Sequence, residues 1–192
     1  MDWTAIDAVG QWFAAVGTLA VVVYAIFQDY WKRPKLRLSF ENNRDVKSQS
    51  NTVGLDPSAL SRWLRVRVVN ANRRKAAKNC RAFLVGIQRV GSEANGMDMF
   101  PNDVRPLIWT HDPSGCASAR DLLPGVAHWV DAAATVDNSK VLSVRVQPAW
   151  SLNDAGDYVF TVQVSAEDTD PAVIKVRVHW DGTWQSLSGQ QV

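Results

Sequence analysis

Residues 8–27 read Ala8-Val9-Gly10-Gln11-Trp12-Phe13-Ala14-Ala15-Val16-Gly17-Thr18-Leu19-Ala20-Val21-Val22-Val23-Tyr24-Ala25-Ile26-Phe27 and carry no charge. Asp7 and Asp29 bracket 21 uncharged residues. At about 1.5 Å per helical residue this span is roughly 31 Å long, close to the thickness of a bilayer's hydrocarbon core. The stretch predicts one N-terminal transmembrane α-helix. It divides the chain into a membrane anchor, residues 1–31, and a domain, residues 32–192.

The charges on the two sides of this helix differ in sign. Asp7 precedes it, whereas Lys32-Arg33-Pro34-Lys35-Leu36-Arg37 follows it with four cations. A secretory signal peptide carries its cations before the apolar core, so this order argues against one. The positive-inside rule predicts that residues 32 onward lie on the cytoplasmic side of the membrane. Cys80 and Cys116 are then expected to be free thiols.

Small residues lie on one face of the predicted helix. Gly10, Ala14 and Gly17 are spaced by four and three residues, and such faces let transmembrane helices approach closely. They are the candidate residues for self-association, and a homo-oligomer through the helix is the partner they imply. A buried helix of a soluble protein is the other interpretation, because Gln11 and Thr18 lower the hydrophobicity.

Beyond residue 34 the pattern changes from helical to alternating. Residues 41–61 are polar and predict a long loop, and Asp181-Gly182 predicts a tight hairpin before a last short strand containing Trp184. Many short strands without helical periodicity indicate an all-β fold, an antiparallel β-sandwich preceded by the helix. The predicted strands cover residues 35–40, 62–70, 80–90, 107–110, 126–136, 141–147, 158–165 and 173–180.

One run carries a family resemblance. Val66-Arg-Val-Val-Asn-Ala-Asn-Arg-Arg-Lys-Ala-Ala-Lys-Asn-Cys-Arg-Ala-Phe-Leu84 resembles the strand–turn–strand of bacterial immunoglobulin-like adhesion modules of the CARDB type. Leu123–Val130 and Gly156–Val162 fit the same scheme, although Asn72 replaces the usual turn glycine and residues 91–122 have no counterpart. The layout as a whole is similar to uncharacterised single-pass bacterial membrane proteins. The resemblance implies an immunoglobulin-like sandwich and a location in the bacterial inner (cytoplasmic) membrane, and it brings no catalytic residues.

The strongest local signal is electrostatic. Residues 62–89 hold nine cations and no Asp or Glu. Three interpretations remain open: a solvated face paired with acids from residues 153–170, contact with anionic lipid headgroups alongside residues 32–37, and a phosphate-bearing ligand such as a nucleotide or nucleic acid. The candidate anion-binding residues are Arg65, Arg67, Arg73, Arg74, Lys75 and Lys78.

Catalytic and metal-binding patterns are weak. His111 and Cys116 are close in sequence, but spacing alone does not place a thiol against an imidazole. His128 and His179 each precede a tryptophan in a predicted strand, and the paired, closely spaced ligands of a structural zinc site are missing. We therefore expect no enzyme activity, no cofactor and no metal.

Two classes of function follow. The first is a membrane-tethered binding module, whose sandwich recruits a protein partner or an anionic ligand. The second is an oligomeric membrane effector, as in bacterial defence, whose sandwich senses a signal while the assembled helix perturbs the bilayer. In both classes the lipid bilayer is a partner.

Overall fold

A computed structural model of the protein describes residues 3–50, 59–72, 74–91, 103–112, 116–137 and 139–192, with side chains outside positions 3–9, 29, 49 and 50. The chain divides into two compact units, Met1–Arg33 and Pro34–Val192. The first contains the helix α1 (Trp3–Lys32). Every described side chain of α1 is exposed, including Trp12 at 74% and Leu19 at 66%. By length and composition, α1 is apolar enough to cross a bilayer.

The second unit is built from antiparallel strands. It also contains a four-residue helix, α2 (Asn42–Asp45), and a single-turn 3-10 helix (Trp184–Ser186). In chain order the strands are β1 (Leu36–Ser39), β2 (Val46–Ser50), β3 (Leu60–Asn70), β4 (Ala77–Arg89), β5 (Arg105–Pro106), β6 (Ile108–Trp109), β7 (Arg120–Leu122), β8 (Ala127–Val136), β9 (Leu142–Val144), β10 (Trp150–Leu152), β11 (Gly156–Ala166), β12 (Thr169–Trp180) and β13 (Ser188–Gln191).

These strands form two antiparallel sheets. The first has the order β1-β3-β8-β9-β10, and β2 and β6 also pair with β3 and β8. β8 pairs with one edge of β3. β1 and β2 pair with the other edge, one after the other, and α2 connects them. The second sheet has the order β13-β12-β11-β4-β5, and β7 also pairs with β4. The long hairpin β11–β12 turns at Glu167-Asp168.

One segment connects the two sheets. β5 pairs with β4 in the second sheet, and β6 pairs with β8 in the first. Between them the Leu107 backbone N–H donates to the Ala82 carbonyl, and Leu107 also bridges to Val146. The inward-facing residues of both sheets form one apolar core, whose largest fully buried members include Leu64, Val66, Leu84, Ile87, Trp109, Tyr158, Phe160 and Trp180.

The structure confirms the all-β domain with one N-terminal apolar helix, and it corrects details. The polar stretch 41–61 is not one long loop, because residues 42–50 form α2 and the edge strand β2. The turn after β12 is longer than a tight hairpin, since the 3-10 helix containing Trp184 precedes β13. Both errors concern short polar elements. Hydrogen bonds to a neighbouring strand determine the structure of such elements, and no apolar pattern in the sequence predicts them.

Candidate functional site

The candidate site is organised by a buried asparagine at the end of β3. The Asn70 side-chain oxygen accepts from the backbone N–H groups of Lys35 and Asn72, both at 3.2 Å. Its side-chain nitrogen donates to the carbonyls of Lys75 at 2.8 Å and Leu122 at 3.4 Å. The side chain is fully buried, with 0% exposure. One amide group therefore holds three chain segments together.

Backbone contacts complete this arrangement. The Asn70 carbonyl accepts from the Gly125 N–H at 2.8 Å, and the Lys35 carbonyl accepts from the Ala71 N–H at 2.7 Å. The Thr169 hydroxyl donates to the carbonyl of Pro34 at 2.8 Å, which adds the β11–β12 turn. The resulting surface is called the loop end here. It comprises the described residues 34–35, 71–72, 74–78, 121–126 and 167–170.

Several cations and acids lie at the loop end. The Lys75 Nζ atom lies 3.4 Å from the Asp168 carboxylate, and both side chains are exposed. This pair supports the interpretation that acids from residues 153–170 neutralise part of the predicted basic surface. Asn79 engages two more acids, since its backbone N–H donates to Asp121 at 2.9 Å and its side chain to Glu167.

Three cations at the loop end differ from Lys75. Lys35, Arg74 and Lys78 are exposed, and their side chains have no carboxylate partner among the described residues. Among the acids at this end, Asp170 is also exposed and has no partner in the described part of the chain. Among its described residues the loop end therefore has three cations and one acid without a partner, while its four cations and four acids balance in formal charge.

Two apolar side chains are exposed at the same end. Leu123 is 59% exposed and Val126 is 44% exposed, on either side of the turn at Pro124-Gly125. Gly125 has a positive φ of 73°, which fits a turn residue. Sequence reasoning did not identify these two residues as functional. The sequence Leu123-Pro124-Gly125 indicates an exposed turn, but nothing in the sequence places that turn beside the cations.

The predicted anion-binding residues do not all belong to this surface. Arg74, Lys75 and Lys78 lie at the loop end, while Arg73 lies outside the described residues. Arg65 and Arg67 lie on the outer face of the first sheet, where Arg65 pairs with Asp131 at 2.9 Å. The side chains of that pair are only 11% and 8% exposed. Arg65 is therefore held in a largely buried ion pair, and its role in anion binding stays a prediction.

The predicted self-association face of α1 is open within its unit. A Cβ added at Gly10 or Gly17 would meet nothing within 4 Å. Ala14 lies between them, and its carbonyl accepts a 2.8 Å hydrogen bond from the Thr18 hydroxyl. Thr18 thus bonds its own helix backbone.

The candidate catalytic residues show no catalytic arrangement among the described residues. Cys80 is buried, and burial raises the pKa of its thiol to about 11, so this thiol is poorly nucleophilic at neutral pH. Cys116 is an exposed free thiol. Burial lowers the pKa of His128, which favours the neutral imidazole. Within the described ranges, no group of three His, Cys, Asp or Glu side chains is placed to hold a metal ion.

A charged cluster lies at the end of β11 and β12 opposite the loop end. Asp157 accepts from Arg177 at 2.8 Å and lies 2.7 Å from His179 Nδ1. Hydrogen bonds from Arg177 and then His179 lower the pKa of Asp157. All three side chains are at least 32% exposed, so this is a solvated ion cluster.

No protein-family model matches the chain, and no similar protein was found among curated proteins or solved structures. The resemblance to CARDB-type modules remains a prediction.

Proposed function

We propose that the protein is a membrane-tethered, immunoglobulin-like binding module, in which α1 spans a bilayer and the loop end contacts anionic lipid headgroups. The observation that carries this proposal is the grouping of free cations and exposed apolar side chains at the end of the sandwich that contains Pro34. The proposed role is binding without catalysis.

The surface chemistry of α1 supports the tether. Its described side chains are exposed on all sides, and those of residues 10–28 are uncharged. Exposing this much apolar surface to water is unfavourable, whereas a lipid environment removes the cost. The aromatic pair Phe27 and Trp31 near the end of α1 fits the interface between hydrocarbon and headgroups.

The short connection after α1 supports contact between the loop end and the lipid surface. Arg33 alone separates the end of α1 at Lys32 from Pro34, the first residue of the second unit. A chain extends at most about 3.6 Å per residue, so Pro34 cannot lie far from the end of a spanning helix. Pro34 itself is buried in the loop end.

The composition of the loop end fits an anionic membrane. Each Lys or Arg near such a surface contributes about 1 kcal/mol of attraction. Leu123 and Val126 add apolar surface that the interface can bury, and leucine is a common residue for this purpose. The nearby acids weaken this attraction: Lys75 offsets the charge of Asp168, whereas the hydrogen bonds from Asn79 to Asp121 and Glu167 leave the charge of those two acids in place.

The sheet topology supports the immunoglobulin-like class. β3 pairs with β8 in one sheet, while β4 pairs with β11 in the other, so consecutive strands β3 and β4 lie in different sheets. In the first sheet β3 also lies beside the successive strands β8, β9 and β10, an order typical of a Greek-key sandwich. It favours a binding module, although fold alone does not identify the bound partner.

The orientation is tested with reporter fusions at Val192 in bacterial cells. The proposal places residues 32–192 in the cytoplasm, so a fluorescent-protein fusion should be fluorescent and a phosphatase fusion inactive. An active phosphatase fusion with a dark fluorescent protein would contradict this orientation. Loss of the full-length protein from membranes on alkaline carbonate washing would contradict the tether.

The lipid contact is tested with the full-length protein in nanodiscs. An environment-sensitive fluorophore is attached at Leu123→Cys in a Cys116→Ser background, and at Ala155→Cys as the control at the opposite end of the sandwich. Emission at position 123 should shift to the blue as phosphatidylglycerol replaces phosphatidylcholine, while emission at position 155 stays constant. Equal behaviour at both positions would contradict the proposal.

The effector alternative remains a prediction that rests on Gly10, Ala14 and Gly17. If the helix assembles and perturbs the membrane, overexpression should be toxic and Gly17→Leu should relieve the toxicity. Val16→Leu is the matched control, because it adds bulk at the neighbouring position. Harmless expression of the unmodified protein would favour the tether.

A further inference from the structure

A second cationic site lies on the outer face of the first sheet, away from the loop end. Trp63 is buried there, at 8% exposure, and its indole N–H donates to the Ser61 hydroxyl at 2.7 Å. Two guanidinium groups contact its ring, Arg65 at 5.6 Å and Arg145 at 5.1 Å from the ring centroid. Both distances are typical of cation–π contacts.

The two arginines differ in their electrostatic partners. Arg65 pairs with Asp131, which also accepts a hydrogen bond from the Thr110 hydroxyl at 2.6 Å. Arg145 has no carboxylate and no side-chain hydrogen bond among the described residues, and its Nε atom is buried without a partner. Leaving such a group unpaired costs about 1–3 kcal/mol, so an unpaired arginine is a reason to look for an anion.

Arg145 lines a surface pocket of about 710 Å³ beside β9 and β10. Ser143 and Ser151 face each other across these two strands, and both line the pocket. The hydroxyl groups of both serines are available as hydrogen-bond donors to an anion. Ile108 and Val141 supply apolar surface to the same pocket. The site thus combines one unpaired guanidinium, two hydroxyls and an apolar wall.

We propose that this pocket, called the Arg145 pocket, binds a small organic oxyanion. Arg145 binds the phosphate or carboxylate group, with Ser143 and Ser151 donating beside it, while the body of the molecule packs against Ile108 and Val141. A guanidinium already held on an aromatic ring is pre-ordered, and its fork of N–H groups matches two oxygens of an oxyanion. The pocket volume exceeds that of a bare ion and suits a molecule of modest size.

The test uses full-length protein in dodecyl maltoside micelles with ¹⁵N-labelled arginine. Phenyl phosphate, benzoate and inorganic phosphate are titrated separately at constant ionic strength, and the Arg145 Nε–H signal is assigned from its loss in Arg145→Lys. Phenyl phosphate or benzoate should shift this signal saturably, with a dissociation constant at least tenfold lower than that of inorganic phosphate. The relative affinity of the two organic anions identifies phosphate or carboxylate as the preferred group.

Two variants separate binding from folding. Ser151→Trp fills the pocket at an exposed position and leaves Arg145 in place, so it should abolish the saturable shift. Arg81→Lys is the control, since Arg81 is an exposed arginine of the second sheet, and it should leave the shift unchanged. The proposal is overturned if the Arg145 signal responds linearly and no more than other arginine signals, or if Ser151→Trp binds like the parent.

Discussion

The loop end and the outer face of the first sheet receive cations from the same acid-free run of sequence and use them in opposite ways. At the loop end, Lys75 pairs with Asp168 in an exposed contact, and Arg74 and Lys78 stay free. On the sheet face, Arg65 is held by Asp131 in a pair that is about nine-tenths buried. Burial and partners, and not local charge density, therefore decide which cation is structural.

The partner of each cation comes from a distant part of the chain. Asp131 is 66 residues from Arg65 and is brought beside it by the register of β3 with β8. Asp168 is 93 residues from Lys75 and reaches it through the β11–β12 turn. Contacts at such separations are set by strand order, so a run of basic residues does not by itself define a binding surface.

The largest effect on stability is expected from loss of the asparagine that organises the loop end. Asn70→Ala leaves the backbone groups of Lys35, Lys75 and Leu122 without their buried partner. Since each unsatisfied buried group costs about 1–3 kcal/mol, we expect a loss of about 4 kcal/mol. Urea unfolding of the full-length protein in micelles measures it.

Asn153→Ala is the control for this substitution, because Asn153 is exposed just after the end of β10 and should change stability by about 0.5 kcal/mol or less. Cys80 provides a second measurement. Its thiol is buried and donates to the Ala77 carbonyl, so in a Cys116→Ser background Asn70→Ala should speed the reaction of Cys80 with a maleimide in the folded protein. Equal unfolding free energies for the two variants would contradict the role given to Asn70.

The next largest loss of stability is expected from breaking the buried Arg65–Asp131 ion pair, which can be compared directly with the exposed Lys75–Asp168 pair. Asp131→Asn leaves the buried Arg65 guanidinium without its counter-charge, and we expect a loss of about 3 kcal/mol. Asp168→Asn removes the exposed partner of Lys75 and should cost about 0.5 kcal/mol or less. Asparagine is chosen because Asp168 has a positive φ of 55°, which asparagine tolerates better than alanine.

Chemical denaturation of both variants in parallel measures this difference. If Asp168→Asn destabilised the protein as much as Asp131→Asn, the distinction between structural and solvated cations would fail.

The smallest effect is expected at an exposed aspartate near the end of β12 opposite the loop end. Hydrogen bonds from Ser186 and Thr183 lower the pKa of Asp181 to about 2, from a reference value of 3.8. A lowered folded-state pKa stabilises the fold above pH 3.8, and this contribution is lost as the pH falls towards 2. Asp181→Asn should therefore flatten the fall in stability over this pH range. An unchanged acid profile in thermal unfolding would contradict the assignment.

Alternating apolar patterns predicted the long strands well. β3, β8, β11 and β12 all lie within a few residues of the predicted strands, because each has one face in the core and a regular alternation results. β2 was missed because it is a polar edge strand that pairs with β3 alone. Such a strand depends on hydrogen bonds more than on side-chain burial.

The candidate site was predictable only in part. The basic composition of residues 71–78 identified Arg74, Lys75 and Lys78, and the loop end contains all three. Lys35 and Leu123 could not be predicted to lie beside these three cations, because the hydrogen bonds of Asn70 bring their segments together in the folded protein. Arg145 lies outside the acid-free run, and no sequence pattern identified it as a binding residue. Its lack of a hydrogen-bond partner becomes visible only in the folded sheet.

The most direct test of the central claim is the lipid dependence of the fluorophore at position 123 in two charge-reversed proteins. Lys35→Glu, Arg74→Glu and Lys78→Glu together reverse the free cations of the loop end. Lys47→Glu, Lys140→Glu and Lys175→Glu make the same change in net charge at exposed positions outside it. In nanodiscs containing phosphatidylglycerol, the account predicts that the first triple variant loses the blue shift and that the second keeps it. Equal loss in both would show that net charge, and not the loop end, governs contact with the membrane.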